Sequence, residues 1–169
     1  MNPSEDRSRE QVRDPVCGMP VDPGARQVEY RHMRFAFCSD QCRERFLANP
    51  GLYVGVPGTR APKQEQQVVM KTRCIPLESP LPTPVKARLE EALRAMMGVE
   101  EVRVDDRMLE VRYDLLQATA RQIEETVLRV GAELDDRWRE RIRRGFIHFI
   151  EEERLASMEV QPPGGGHGH

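Results

Sequence analysis

Three cysteines constrain this chain more than any other feature. Cys17, Cys38 and Cys42 are spaced C-x20-C-x3-C, and thiolates are soft ligands suited to Zn(II), Cu(I) and similar ions. Three sulfurs converging from separated positions can organise a segment too short for a large hydrophobic core, so a bound ion either supports the fold or is its cargo. Cys38 and Cys42 stand one helical turn apart, and Ser39 between them serves as N-cap for a helix over Asp40–Leu47 that Asn49-Pro50-Gly51 stops. Both sulfurs are then expected at the positive end of that helix. There the dipole and the nearby Arg43 and Arg45 are expected to lower the thiol pKa.

Upstream, Gln27–Tyr30 and Arg34–Phe37 alternate as two short strands around Arg31-His32-Met33, a hairpin that delivers Cys38 to the helix start. Cys17 follows Pro15 and precedes Gly18, a loop context that lets a third sulfur return across the hairpin. The expected product is a small treble-clef-like knuckle over residues 14–54. A structural zinc site fills four positions and only three thiols are visible, which argues for an open or exchangeable fourth. Met19, a thioether, is the candidate there for Cu(I), and His32 for Zn(II). Each has a plainer role, Met19 as packing under the hairpin and His32 as an exposed turn residue.

Asp14-Pro15-Val16-Cys17-Gly18-Met19, Tyr30, Phe35, Phe37-Cys38-Ser39, Cys42, Phe46, Asn49-Pro50 and Tyr53 together resemble the YHS domain, one of the heavy-metal knuckles called TRASH. The resemblance runs from Asp14 to Tyr53 and implies metal binding, with relatives in copper-transporting ATPases, in sensors and beside oxygenases. His32 stands at a turn position where the family usually has glycine.

With 38% hydrophobic and 32% charged residues in 169, the composition fits one or two small domains, and a net charge of −2 gives no case for a nucleic-acid partner. No segment approaches the roughly 20 apolar residues of a membrane span, and Met1–Arg13, expected to be disordered, lacks the apolar core of a signal peptide. A cytoplasmic location is expected, in keeping with thiols as ligands and not as disulfides.

Residues 55–67, rich in Gly, Pro and polar side chains, read as a linker. Beyond it, Val68–Ile75, Val99–Val104 and Met108–Tyr113 read as strands, and Pro84–Met97 and Thr119–Val130 as helices, with Leu89, Leu93, Ile123 and Val127 facing inward. The order β-α-β-β-α is the ferredoxin-like split βαβ pattern, so the fold class expected is α+β. In Gly98–Val104 and Val130-Gly131-Ala132 this region, 68–134, resembles the heavy-metal-associated domain in rhythm. Its β-to-α loop, Pro76–Pro84, lacks the Cys-x-x-Cys pair that holds metal in that family. It is therefore expected to act as an interaction or dimerisation unit. Cys74 is expected to be a small buried hydrophobe.

Residues 135–159 read as an amphipathic helix with Trp138, Ile142, Phe146, Phe149 and Ile150 as its docking stripe. Arg137, Arg139, Arg141, Arg143 and Arg144 flank its first half, and Glu151-Glu152-Glu153 balance them as a solvated face. Residues 160–169 form a Gly-rich tail ending in His167 and His169. No phosphate loop, nucleophile elbow or His-Glu-x-x-His helix is present, and Cys38 and Cys42 are one residue too far apart for an oxidoreductase pair, so catalysis is not expected. The expectation is a soft-metal protein, a Cu(I) chaperone, buffer or sensor. The alternatives are a structural zinc knuckle in an adaptor and a thiol-based metal or redox sensor. Its expected partner is a protein such as a metal-transporting ATPase or efflux component, and a second copy is a further candidate.

Overall fold

The structure, a computed structural model, describes residues 10–137 and 142–160, without the side chains of 142–144. The expectations placed on residues 1–9, Trp138, Arg139, Arg141, His167 and His169, and on the side chains of Ile142, Arg143 and Arg144, lie outside the described residues. The fold is α+β, and the chain divides into two compact units, residues 1–67 with 159–169, and Val68–Met158. The second unit is therefore spliced into the first. Among the described residues no helix is long and apolar enough to cross a membrane.

The first unit opens with two antiparallel pairs, β1 (Val12–Arg13) with β2 (Pro20–Val21) and β3 (Val28–Tyr30) with β4 (Met33–Phe35). Arg31 and His32 join the second pair at φ 52° and 64°, the left-handed geometry of a two-residue hairpin turn whose twist matches its strands. Helix α1 (Asp40–Ala48) starts where Ser39 accepts the Cys42 amide hydrogen at 3.3 Å, and the chain turns on through a 3-10 segment, Pro50–Leu52. Fully buried Phe46, on α1, is the hub of the core: the rings of Phe35, Phe37, Tyr30 and Tyr53 lie 5.0, 5.1, 5.8 and 5.9 Å from it. Aromatic rings at these separations attract edge to face as well as by burial. With so few apolar residues available, one ring in contact with four others does the work of a larger core.

Residues 55–67, expected as a linker, are folded: Val56 bridges Thr59, a 3-10 turn spans Pro62–Glu65, and Ala61 and Pro62 are buried. Their glycines and prolines set turns, which composition alone does not distinguish from a flexible spacer. The unit is completed from far along the chain. Glu159 accepts the Gly51 amide hydrogen at 2.9 Å and one from the Asn49 side chain at 3.3 Å, and the Val160 amide donates to the Gly51 carbonyl at 3.0 Å. Gly51 has to be bare for this strap, since a Cβ there would lie 2.3 Å from the Val160 carbonyl oxygen.

In the second unit β5 (Met70–Pro76), β6 (Val99–Asp105) and β7 (Met108–Asp114) form an antiparallel sheet in the order β5-β7-β6. Helix α2 (Thr83–Arg94) crosses from β5 to β6, leaving β7 between them, the split βαβ arrangement. A short antiparallel contact at Leu77 and Leu134, with the Glu78 amide donating to Glu133 and the Asp135 amide to Pro76, marks the far side of β5. Helix α3 (Ala120–Val130) is capped by Thr119 with Gln122 reaching back, and Gly131, at φ 95°, ends it. Leu89, Leu93, Leu109, Val111, Ile123 and Val127 fill the core. Cys74, expected inside, is exposed, because alternation along β5 places its neighbour Ile75 on the helix side.

The last helix, α4 (Ile142–Met158), corrects another expectation. Phe146, Phe149 and Ile150, read as its docking stripe, are exposed, while Ile147, Glu151 and Leu155 are buried. Glu151 goes inside because it has partners there: it accepts the Tyr113 hydroxyl hydrogen at 2.6 Å and the Ala120 amide hydrogen at 3.1 Å. Beside it, His148 meets the buried Glu124 carboxylate at 2.8 Å. A pattern reading sends glutamate to solvent, and a carboxylate that satisfies a buried hydroxyl and a helix-start amide overrides it.

Candidate metal centre

Cys17 lies at the tip of the loop closed by β1 and β2. That loop folds on itself through the Asp14 amide donating to Met19 at 2.9 Å and the Gly18 amide donating to Asp14 at 2.8 Å. Gly18 takes φ 79°, a left-handed value that glycine adopts without strain. Cys38 ends the run from β4, and Cys42 faces it from the first turn of α1. The Sγ atoms of Cys17 and Cys38 are 3.5 Å apart and those of Cys38 and Cys42 are 3.7 Å apart. A disulfide needs about 2.05 Å, whereas sulfurs sharing a zinc-sized ion at about 2.3 Å stand roughly 3.8 Å from one another in a tetrahedron. The three thiols are thus spaced as ligands of one ion.

A fourth donor joins them. The Asp14 carboxylate and the three sulfurs all lie within 4.8 Å of one another. Asp14 is buried, and its Oδ1 accepts the amide hydrogens of Val16 at 2.7 Å and Cys17 at 3.3 Å, while Oδ2 accepts that of Cys38 at 2.8 Å. One side chain therefore ties the loop carrying Cys17 to the backbone of Cys38. Sequence reasoning missed this role. The signal was present as an Asp three residues before a Cys, the local pattern in which an aspartate closes a turn on the following amides.

Of the two sequence candidates for the fourth position, the structure separates His32 from the cluster. His32 is exposed at the tip of the β3–β4 hairpin and is not among the four clustered donors. Met19 is 45% exposed, and what it gives the site is its backbone, a hydrogen bond to the Cys17 sulfur.

The thiols do not share the low pKa expected of a helix start. Cys17 is drawn down from 9.0 to about 7, chiefly because the Cys42 thiol donates to it, with the Met19 amide and Cys38 adding to the effect. Cys38 is pushed up to about 11, first by burial and then by the neighbouring Cys17. Cys42 is pushed up furthest, because its proton is held by Cys17 and because it is buried. Ionisation of Cys17 therefore sets one negative charge beside two thiol protons that stabilise it. The arginines are otherwise engaged: Arg45 is buried against Tyr53 and Asn49, and Arg43 pairs with Asp40 at 3.4 Å.

Cys17 and Cys38 are part-exposed and Cys42 is buried, so the cluster is reached from the side of Cys17 and Cys38. Three sulfurs and a carboxylate on a short, aromatic-cored knuckle define a metal-binding module. Residues 12–56 match the family model described as the YHS domain, and this part of the chain is a YHS domain. Over 45 residues the chain is similar to a copper-transporting P-type ATPase of Rhizobium leguminosarum bv. viciae, at 47% identity. That stretch is 25% of this chain and 5% of the ATPase, so the chain matches only a small part of that relative's length. No solved structure matches the chain.

Proposed function

We propose that the protein binds a soft metal ion, Cu(I) in the first instance, through Cys17, Cys38 and Cys42, and holds it for delivery, buffering or sensing. The observation that carries this reading is the sulfur spacing of 3.5 and 3.7 Å in a cluster open on one side. Thiolates favour Cu(I), and three of them suffice for it without a fourth ligand. Cys17, the most readily ionised thiol of the cluster and part-exposed, makes the first bond, and the protons on Cys38 and Cys42 leave as the ion is taken up. Release to a partner runs in reverse, with an incoming thiol displacing the outermost sulfur. The similarity to a segment of a copper-transporting ATPase supports copper as the cargo and a transporter as the class of partner. In this reading the second unit, Val68–Met158, selects the partner, and no catalysis is assigned.

A zinc knuckle is the second reading, and Asp14 favours it. A carboxylate is a zinc ligand and a poor one for Cu(I), so Cys3Asp would make a closed structural site. Against this, both Asp14 oxygens already accept backbone amide hydrogens.

Titration of the metal-free chain with Cu(I) and Zn(II) against competing chelators distinguishes the two. The carrier reading expects reversible, tight Cu(I) binding lost in Cys17→Ser and Cys42→Ser. Zinc that leaves only on unfolding would sink it.

A further inference from the structure

Three sulfurs are what the cluster offers outright. Cys17 and Cys38 are 3.5 Å apart, Cys38 and Cys42 3.7 Å, and the remaining pair lies inside 4.8 Å. The Asp14 carboxylate beside them already accepts backbone amide hydrogens on both oxygens, and His32 is not among the clustered donors. An element that forms three bonds to sulfur and keeps a lone pair in the fourth direction needs no further donor. Part-exposed Cys17 and Cys38 give a small solute access.

Charge points the same way. Three thiolates carry two net negative charges around Cu(I) and one around Zn(II), but none around a trivalent centre. The difference matters here because the Asp14 carboxylate is buried among the sulfurs, and like charges taken out of water are costly. The cations beside Cys38 and Cys42 are shared with another acid. Arg26, which donates to the Cys38 carbonyl at 3.4 Å, pairs with Asp40 at 3.2 Å, and Arg43 pairs with the same carboxylate at 3.4 Å.

We infer that the cluster also takes trivalent arsenic, captured as arsenous acid, As(OH)3, and held by Cys17, Cys38 and Cys42 as a three-coordinate tris-thiolate. The inference shares with the copper reading only the premise that the three thiols serve one centre. Thiolates are soft ligands and trivalent arsenic is a soft acceptor. At each sulfur an As–O bond breaks and an As–S bond forms, and the thiol hydrogen leaves with the hydroxyl group as water. Three thiols thus release three waters, arsenic stays trivalent, and no oxidant or reductant is consumed. The product is neutral beside the buried carboxylate. Cys74, exposed and outside the cluster, takes no part.

The test is titration of the full metal-free chain with arsenite, in a phosphine reductant so that no other thiol competes. The intact mass of the complex is expected to rise by one arsenic less three hydrogens. Cys17→Ser, Cys38→Ser and Cys42→Ser are each expected to raise the arsenite Kd by at least about 100-fold, the upper end of what losing a ligand's supporting partner costs. In these variants any complex that does form should keep one hydroxyl group on arsenic, and Cys74→Ser should bind as the wild type does. A wild-type complex that retains a hydroxyl group overturns the inference, as does a Kd left unchanged by any of the three cluster variants. Should a variant unfold, the mass of the wild-type complex carries the test alone. Cu(I) titrated in parallel separates the two readings. Cu(I) bound and arsenite refused overturns this inference and spares the copper reading, and arsenite bound with Cu(I) refused does the reverse. Refusal of both overturns their shared premise.

Discussion

The Asp14 carboxylate takes amide hydrogens from Val16 and Cys17 in its own loop and from Cys38 in the next, so removing it frees both segments that carry the outer sulfurs. Residues that orient metal ligands typically contribute about 10- to 100-fold in affinity. Asp14→Ala is expected to weaken Cu(I) binding by about that factor in competition titrations. Asp14→Asn, which keeps an acceptor oxygen, is expected to recover part of it if the role is positioning. Equal loss in both would make the carboxylate itself a ligand. The thiols yield a second prediction at this scale. Cys17, lowered to about 7, favours the folded metal-free state fully above its ordinary 9.0 and loses that contribution as the pH falls through 7. Cys38, raised to about 11, acts in the opposite sense, and its resistance to ionising erodes stability as the pH climbs from 9.0 towards 11. With the exposed Cys74 replaced by serine, thiolate absorbance of the metal-free chain should show a first midpoint near 7, absent when Cys17→Ser is added, and no second until near 11.

At the scale of elements, the knuckle rests on Phe46 and on the strap from Glu159. Truncating a fully buried phenylalanine costs about 3–5 kcal/mol, so Phe46→Ala should leave the metal-free knuckle largely unfolded by near-ultraviolet circular dichroism, with the ion restoring it. Gly51→Ala forces a methyl group against the Val160 carbonyl oxygen at 2.3 Å, a clash expected to cost about 1–3 kcal/mol. In a chain ending at Met158 the same substitution should be nearly neutral. Denaturant melts of the four combinations measure that coupling directly. The elements also show where a sequence speaks clearly. Ser39 before Asp40 and Thr119 before Ala120 announce their helices because a cap is a local hydrogen bond between near neighbours. The two-residue strands β1 and β2 are too short to show a period, and the buried side of α4 turns on a Tyr113 hydroxyl that is 38 residues away from Glu151.

At the scale of the whole molecule, the three thiols were legible because metal chemistry restricts which residues can stand there and how far apart. Asp14 was less so, because its partners are backbone amides, which every residue has. The return of Glu159 to Gly51 was not legible at all. It spans 108 positions and involves no distinctive pair of residues. Two units with one ion between their sequences should melt separately. Metal at 100 times its Kd adds about 2.7 kcal/mol to the unit that binds it. Calorimetry with and without Cu(I) should therefore move the transition of residues 10–67 and leave that of Val68–Met158 in place. A single transition shifting as a whole would show the units to be cooperative. The splice also has a bearing on synthesis. A ribosome delivers the residues that buckle Gly51 only after all of Val68–Met158 has been made, so while that unit is being synthesised the nascent chain presents three sulfurs on a domain still missing its clasp. An ion captured in that interval would be an early scaffold for the fold, well before it is freight.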